Sequence, residues 1–211
     1  MSLNRARIDA CPRRRLHGGR NWTKAVVDAV EVDGRTITLK DFAARPWPVR
    51  RLLGPWHLDR EERAYRRLEG LAGIPRFLGR VDRCAMALEY VPGPTLATLR
   101  RGDLAEPFFA VLEALIGAMH ERGVAHADLH AHDVIAGPDQ RPFVLDFSTA
   151  VCRSADPFGD WLFRQLCRAD RRSVAKLRLR LAPGGGSVPA RPPLYRLGSF
   201  LRRAWRPGRR R

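Results

Sequence analysis

The chain has 211 residues, of which 45% are hydrophobic and 29% charged, enough apolar content for a packed core and too much for a disordered polymer. Its formal net charge is +17, yet only three of its 39 basic residues are lysines (Lys24, Lys40 and Lys176). An arginine bias of this kind follows codon usage as readily as function, so the charge by itself names no partner. No uncharged apolar run reaches the roughly 18 residues a spanning helix needs, no apolar signal region opens the text, and the four cysteines show neither a CxxC pairing nor metal-ligand spacing. They read as reduced thiols of a cytoplasmic protein. With no recognition helix and no aromatic–basic platform in evidence, a specific nucleic-acid partner is not expected.

From Val26 to Phe42 the text VVDAVEVDGRTITLKDF alternates partly around Asp33-Gly34, which predicts a β-hairpin. A Pro/Trp-rich connection, RPWPVRRLLGPWHL, follows. Its Trp47 and Trp56, like Trp22 upstream, are expected to pack in the core or between lobes. In LDREERAYRRLEGL, Ala64, Tyr65, Leu68 and Leu71 fall on one helical face. Glu61 precedes Tyr65 by four residues and Leu68 by seven, so it shares that inward face, whereas Glu62 points away and is free to form a capping box with Asp59. MALEYV reads as a strand and PGPTL as a turn. EPFFAVLEALIGAMHERG is an amphipathic helix with Pro107 near its start and Gly123 just past its end. RPFVLDF reads as a short buried strand, and DWLFRQLCRADRRSVAKLRLRL as a helix in two pieces. APGGGSVPARPP is a linker composition. In the basic tail after it, Leu194, Leu197, Leu201 and Trp205 recur at helical spacing among arginines, which suits either an anionic membrane surface or a solvated tail.

The stretch HADLHAHD packs three histidines and two aspartates into positions 126 to 133. Taken alone, His126, Asp128, His130, His132 and Asp133 have the residue types of a zinc or di-metal hydrolase. The remaining histidines, His17, His57 and His120, are scattered and supply no second ligand set. A longer reading accounts for more of the chain. His126-x-Asp128-Leu129-x-x-x-Asp133, followed by Leu145-Asp146-Phe147-Ser148, resembles the catalytic loop (H-x-D-L-x-x-x-N) and the D-F-G strand end of the protein-kinase-like superfamily. Asp128 and Asp146 lie 18 residues apart, room for the hairpin that separates them in such folds. Upstream and in the right order stand a strand lysine in ITLKDF, a helical glutamate and the EYVPG text. The likeness covers about residues 15 to 180 and is nearest to small bacterial Ser/Thr-kinase-like and lipopolysaccharide-kinase-like proteins, with RIO-type kinases more distant.

The resemblance implies an α+β, two-lobed fold: a β-rich N-lobe over 15–91 with one helix, a short and mainly helical C-lobe over 92–182, and a linker with a basic tail over 183–211. It implies ATP and Mg²⁺ as cofactors and a hydroxyl acceptor on protein Ser/Thr or on a membrane glycolipid. Lys40 would hold the phosphates, paired with Glu61; Gly18 and Gly19 would belong to the phosphate loop; and the backbone from Glu89 to Val91 would hold adenine. Asp128 would accept the proton of the attacking hydroxyl, Asp146 and Asp133 would bind the metal, and His126 would support the loop. His130 and His132 become bystanders. The location implied is cytoplasmic, with the tail as a route to the inner face of the membrane. Three departures stand out: Asp133 replaces the usual Asn, Ser148 replaces the last Gly of D-F-G, and the glycine-rich loop is incomplete. They keep open a pseudokinase, a nucleotide-binding or scaffolding module without catalysis.

Overall fold

The structure, a computed structural model, describes residues 3–18 and 22–184. The expected hairpin forms from β2 (Val26–Val32) and β3 (Arg35–Asp41), joined by Asp33 and Gly34 at φ 51° and 72°. Two positive φ values in a two-residue loop make the kind of turn whose twist matches that of paired strands. With β1 (Arg13–His17), β4 (Phe77–Asp82) and β5 (Ala85–Glu89), the hairpin builds an antiparallel sheet of order β1-β2-β3-β5-β4.

Alternation in these strands sends side chains to both faces, and each face is covered. Val30, Val32, Ile37, Leu39, Ala85 and Ala87 meet Ile8 of a short helix, α1 (Arg5–Asp9). Arg5 ties that helix down by donating to Asp82 at 2.7 Å and to Asp41 at 2.5 Å. On the other face Phe42, Met86 and Leu88 join Leu58, Tyr65 and Leu68 of α2 (Gly54–Arg67). α2 starts well before Asp59, after a π-helical turn at Val49–Leu53, so Asp59 and Glu62 are not a capping box. They are drawn instead to Arg80, at 3.2 and 3.8 Å, and Glu62 also accepts from Arg66 at 2.8 Å.

The second lobe is mostly helical. α3 (Glu106–Glu121) carries Pro107 in its first turn and is closed by Gly123 at φ 72°. Two short antiparallel pairs follow, β6 (Val124–Ala125) with β9 (Val151–Cys152), and β7 (Val134–Ala136) with β8 (Pro142–Val144). α4 runs unbroken over Pro157–Leu181, one helix where two pieces were expected. Its N-cap Asp156 accepts the Gly159 amide at 2.7 Å, and no proline or glycine interrupts the helix beyond its first turn. One continuous core links the lobes, from Met86 and Leu88 through Phe109, Leu112 and Phe147 to Val174 and Leu177. The α+β, two-lobed organisation is as expected.

The tryptophans are not as expected. Trp22, Trp47 and Trp56 are 59, 61 and 52% exposed, because Phe42, Val49 and Leu58 already fill the space beneath the Pro/Trp-rich connection. All four cysteines are free thiols, and no described helix is long and apolar enough to cross a membrane.

Candidate active site

Lys40 stands near the end of β3, opposite Met86 of β5, and Glu61 projects from the inward face of α2. The ammonium donates to Glu61 Oε1 at 2.5 Å and to Asp146 Oδ1 at 2.8 Å. Lys40 is 8% exposed and Glu61 2%, so this is a buried charge cluster. Burial alone disfavours the ammonium, but the carboxylates of Asp146 and Glu61 outweigh it and hold Lys40 above its ordinary value. Burial pushes the Asp146 carboxyl up, yet the pull of Lys40 is stronger and leaves it well below the usual carboxylate range. Burial raises Glu61 against the attraction of Lys40.

The segment after β8 is shaped to meet this pair. Asp146 takes a left-handed conformation, φ 61° and ψ 69°, which turns its carboxylate toward Lys40 while the next amide, Phe147 N–H, donates to Glu61 Oε1 at 3.2 Å. The Phe147 ring then fills the core against Tyr65 and His126, with ring centroids 5.0 and 5.3 Å away. Backbone freedom is therefore required at Asp146, and Ser148 sits in an ordinary 3-10 turn, Phe147–Thr149, where a side chain is tolerated.

The loop bearing Asp128 and Asp133 is clamped from several sides. His126, 1% exposed, has Nε2 against the Leu145 carbonyl at 2.8 Å; a carbonyl only accepts, so Nε2 carries the proton. Thr149 Oγ1 donates to the His126 carbonyl at 3.1 Å. From α4, Asp170 accepts the amides of His126 and Ala127 at 2.8 and 2.9 Å and the His120 ring nitrogen at 3.0 Å. Ala127 is at φ 71°, a strained conformation that these bonds hold. Asp170 was not singled out from the sequence. Its signal was there: it stands at the core-facing register among Phe163, Cys167, Val174 and Leu177, where a solvated aspartate has no place.

Asp128 keeps a side chain 56% exposed, whereas that of Asp133 is 17% exposed. Between them lies His130, expected to be a bystander, with Nδ1 3.6 Å from Asp128 Oδ1 and 3.9 Å from Asp133 Oδ2. The His130 amide donates to Asp133 Oδ2 at 2.8 Å. Leu145 N–H donates to the Asp133 carbonyl at 2.7 Å, which sets Asp133 beside the segment that leads from β8 to Asp146. Burial raises the Asp133 carboxyl; His126 opposes that and the charge of Asp146 adds to it. Among the described residues no group of three or more His, Cys, Asp and Glu side chains is gathered so as to hold a metal.

The nucleotide-loop residues are less concentrated. Gly18 follows β1, and its carbonyl accepts from Arg45 at 2.6 Å; Arg45 also donates to the Lys24 carbonyl at 2.8 Å, tying both ends of the β1–β2 connection. Gly19 lies outside the described residues. Glu89 ends β5 with its side chain turned to Arg76, whose amide donates to it at 3.0 Å, and Val91 is buried just beyond.

Comparison with known proteins agrees with this geometry. No protein-family model matches the chain. A 3-deoxy-D-manno-octulosonic acid kinase of Xylella fastidiosa (strain M12) is 33% identical over 124 residues, 58% of this chain and 45% of that protein. CBL-interacting protein kinase 16 of Oryza sativa subsp. japonica is 35% identical over 86 residues, 38% of this chain and 19% of its own length. The crystal structure of the Rio2 kinase from Chaetomium thermophilum superposes with a TM-score of 0.66 at 16% identity, covering 92% of this chain and 64% of that one. The chain has a protein-kinase-like fold. Its match spans less than half the length of the Xylella kinase. Within this kinase-like fold, Lys40 joins Glu61 and Asp146 directly, Asp133 lies near enough to Asp146 to feel its charge, and Asp128 meets the same loop through His130.

Proposed function

We propose that the protein is an ATP- and Mg²⁺-dependent phosphotransferase that passes the γ-phosphate to a hydroxyl, preferably on an acidic sugar of a lipopolysaccharide-type membrane glycolipid rather than on protein Ser/Thr. The observation that carries this reading is the single ammonium, Lys40, shared by Glu61 and Asp146 beside Asp133. Phosphoryl transfer asks mainly for charge neutralisation and alignment, and that is what this cluster supplies. The Xylella fastidiosa relatives, 3-deoxy-D-manno-octulosonic acid kinases by name, favour the sugar acceptor.

Asp146 and Asp133 are oxygen donors of the type a small hard cation prefers, and these two would hold it. The bound cation would neutralise charge on the transferring phosphate. Lys40, fixed by Glu61, holds a phosphate oxygen at the floor of the cleft. Backbone groups from Glu89 to Val91 would meet the adenine, and Gly18 would lie at the phosphates. Asp128, at the mouth of the same loop and open to solvent, orients the acceptor hydroxyl and takes its proton. ATP use places the reaction on the cytoplasmic side, at the inner membrane face for a glycolipid acceptor.

The test is incubation with γ-labelled ATP, Mg²⁺ and either a membrane glycolipid fraction or a protein fraction, comparing wild type with Asp128→Ala and Asp146→Ala. Label in the lipid fraction with wild type alone supports the proposal. Label in protein alone moves the acceptor to Ser/Thr, and background label in all three proteins, with ATP still bound, leaves a nucleotide-binding scaffold.

A further inference from the structure

The turn leading into α2 presents an apolar surface that neither the core nor the cleft uses. Trp47, Leu52, Leu53 and Trp56 are 61, 64, 41 and 52% exposed, all within ten residues of one another. Large apolar side chains gathered like this on a soluble surface mark an interaction site. The surface is rigidly mounted. Val49 is fully buried, the turn is π-helical, and Gly54 lies so near Phe42 that an added Cβ would meet its ring carbon at 2.8 Å. Widened helical turns of this kind are frequent at functional sites.

The chemistry of the segment selects the partner. Arg45, Arg50 and Arg51 are interleaved with the apolar residues, and Arg60 lies over the Trp56 ring at 5.5 Å. From residue 43 to residue 58 there is no Asp, Glu, Asn, Gln, Ser or Thr. The side chains here therefore offer cationic donors, and the nearest carboxylate, Asp59, lies just past this stretch and is drawn to Arg80 at 3.2 Å. Protein interfaces carry donors and acceptors of both kinds across a polar rim. A layer of anionic headgroups presents the complement: phosphate acceptors outside and hydrocarbon beneath, with tryptophan favoured at the boundary and arginine reaching back to the phosphates.

We propose that the surface formed by Trp47, Leu52, Leu53 and Trp56 with Arg50 and Arg51 docks this protein on an anionic lipid bilayer. The site is distinct from the basic tail and does not depend on the reaction assigned to the cleft. It lies close to that cleft. His57 packs edge-on against Trp56 at 5.0 Å, and Arg60 donates to the Thr149 and Ala150 carbonyls at 2.9 and 2.7 Å, directly after Asp146 and Phe147. Docking here brings the metal-binding segment to the membrane surface.

The experiment uses the full chain with phosphatidylglycerol/phosphatidylcholine vesicles and with phosphatidylcholine vesicles alone. The proposal expects sedimentation with the anionic vesicles only. It also expects about a tenfold or greater loss of partitioning in Trp47→Ser/Trp56→Ser and in Arg50→Glu/Arg51→Glu, each with unchanged circular dichroism and melting temperature. A second variant, with Trp22, Trp161 and Trp205 replaced by Phe, leaves Trp47 and Trp56 as the only indoles. Their emission should shift to the blue and be quenched by brominated acyl chains in anionic vesicles. Unquenched emission, or patch variants that partition like wild type, overturns the proposal and assigns any vesicle binding to the tail. Vesicle-independent self-association by light scattering, abolished by the tryptophan variant, overturns it in favour of a second copy of the chain.

Discussion

Asp170 offers the sharpest test of how the candidate catalytic loop is held. Its carboxylate is 1% exposed and accepts three hydrogen bonds, from the His126 and Ala127 amides and the His120 ring, at 2.8 to 3.0 Å. Asp170→Asn keeps the volume, removes the charge and turns one acceptor oxygen into a donor. One of the two loop amides then faces an N–H and stays buried without a partner. Hydrogen bonds to charged groups contribute about 1.5–3 kcal/mol each, and an orphaned buried donor costs about 1–3 kcal/mol. Allowing for relaxation, the substitution should cost on the order of 2–4 kcal/mol, a large part of a typical domain's stability. Urea unfolding should show this as a lower midpoint with unchanged slope. With the roles proposed above, in which the loop carries Asp128 while Lys40 and Asp146 hold the phosphates from other elements, turnover should fall about 100-fold or more with nucleotide affinity changed by less than about threefold. A stability change under about 0.5 kcal/mol, or equal losses in affinity and turnover, would refute the claim that Asp170 acts by fixing the loop.

Three further outcomes follow from the same geometry. In a double-mutant cycle, Lys40→Met and Glu61→Gln should each destabilise by about 2–5 kcal/mol, with the double variant costing clearly less than their sum, because Lys40→Met strands the buried Glu61 and Glu61→Gln takes from the buried Lys40 one of its two carboxylates; additivity would show that the 2.5 Å contact carries no coupling. Burial pushes the Asp82 carboxyl up, but Arg5 and the Cys84 amide pull harder and set it below its ordinary 3.8. A depressed native value means the stabilisation is present above 3.8 and is lost as pH falls through that lower value, so the stability gap between wild type and Asp82→Asn should stay flat down to about pH 5 and shrink in stronger acid. A gap that widens on acidification would reverse the sign. Burial also pushes the Cys167 thiol up to about 12, so native alkylation near pH 8 should leave it unmodified by peptide mass spectrometry and label it only after unfolding.

The parts legible in the sequence were those whose function demands a fixed residue at a fixed spacing. Asp128 and Asp146 were readable through the resemblance of their motifs to the kinase-like catalytic loop and D-F-G strand end, at a spacing that leaves room for the hairpin β7–β8, and Glu61 because seven residues separate it from Leu68 on a helix of ordinary pitch. The exposed tryptophans were misread because aromatic content forecasts burial only on average. In this turn Phe42, Val49 and Leu58 had already filled the space. The capping box failed for a related reason: four residues have the right letters at Asp59 to Glu62, but Gly54 and the π-turn begin the helix a full turn earlier. Asp170 shows in the sequence only as an aspartate at a core-facing register; its role does not, since the amides it serves are 43 and 44 residues away.

α2 joins these observations into one mechanical unit. Glu61 accepts the Phe147 amide from inside the helix, and its neighbour Arg60 holds the Thr149 and Ala150 carbonyls, so two consecutive residues fix both ends of the segment that begins at Asp146. Tyr65, one turn on, presses its ring edge-on against Phe147 from the same helix. Because Lys40 binds both Glu61 and Asp146, a displacement of α2 away from the sheet must break the Lys40–Glu61 contact or carry the Asp146 segment along with it. The arrangement is thus held by uncharged amides, carbonyls and packed rings as well as by ions. A force on the outer side of the same helix, at Trp56, acts one residue from His57 and four from Arg60, and so reaches the cleft through backbone already committed to positioning it.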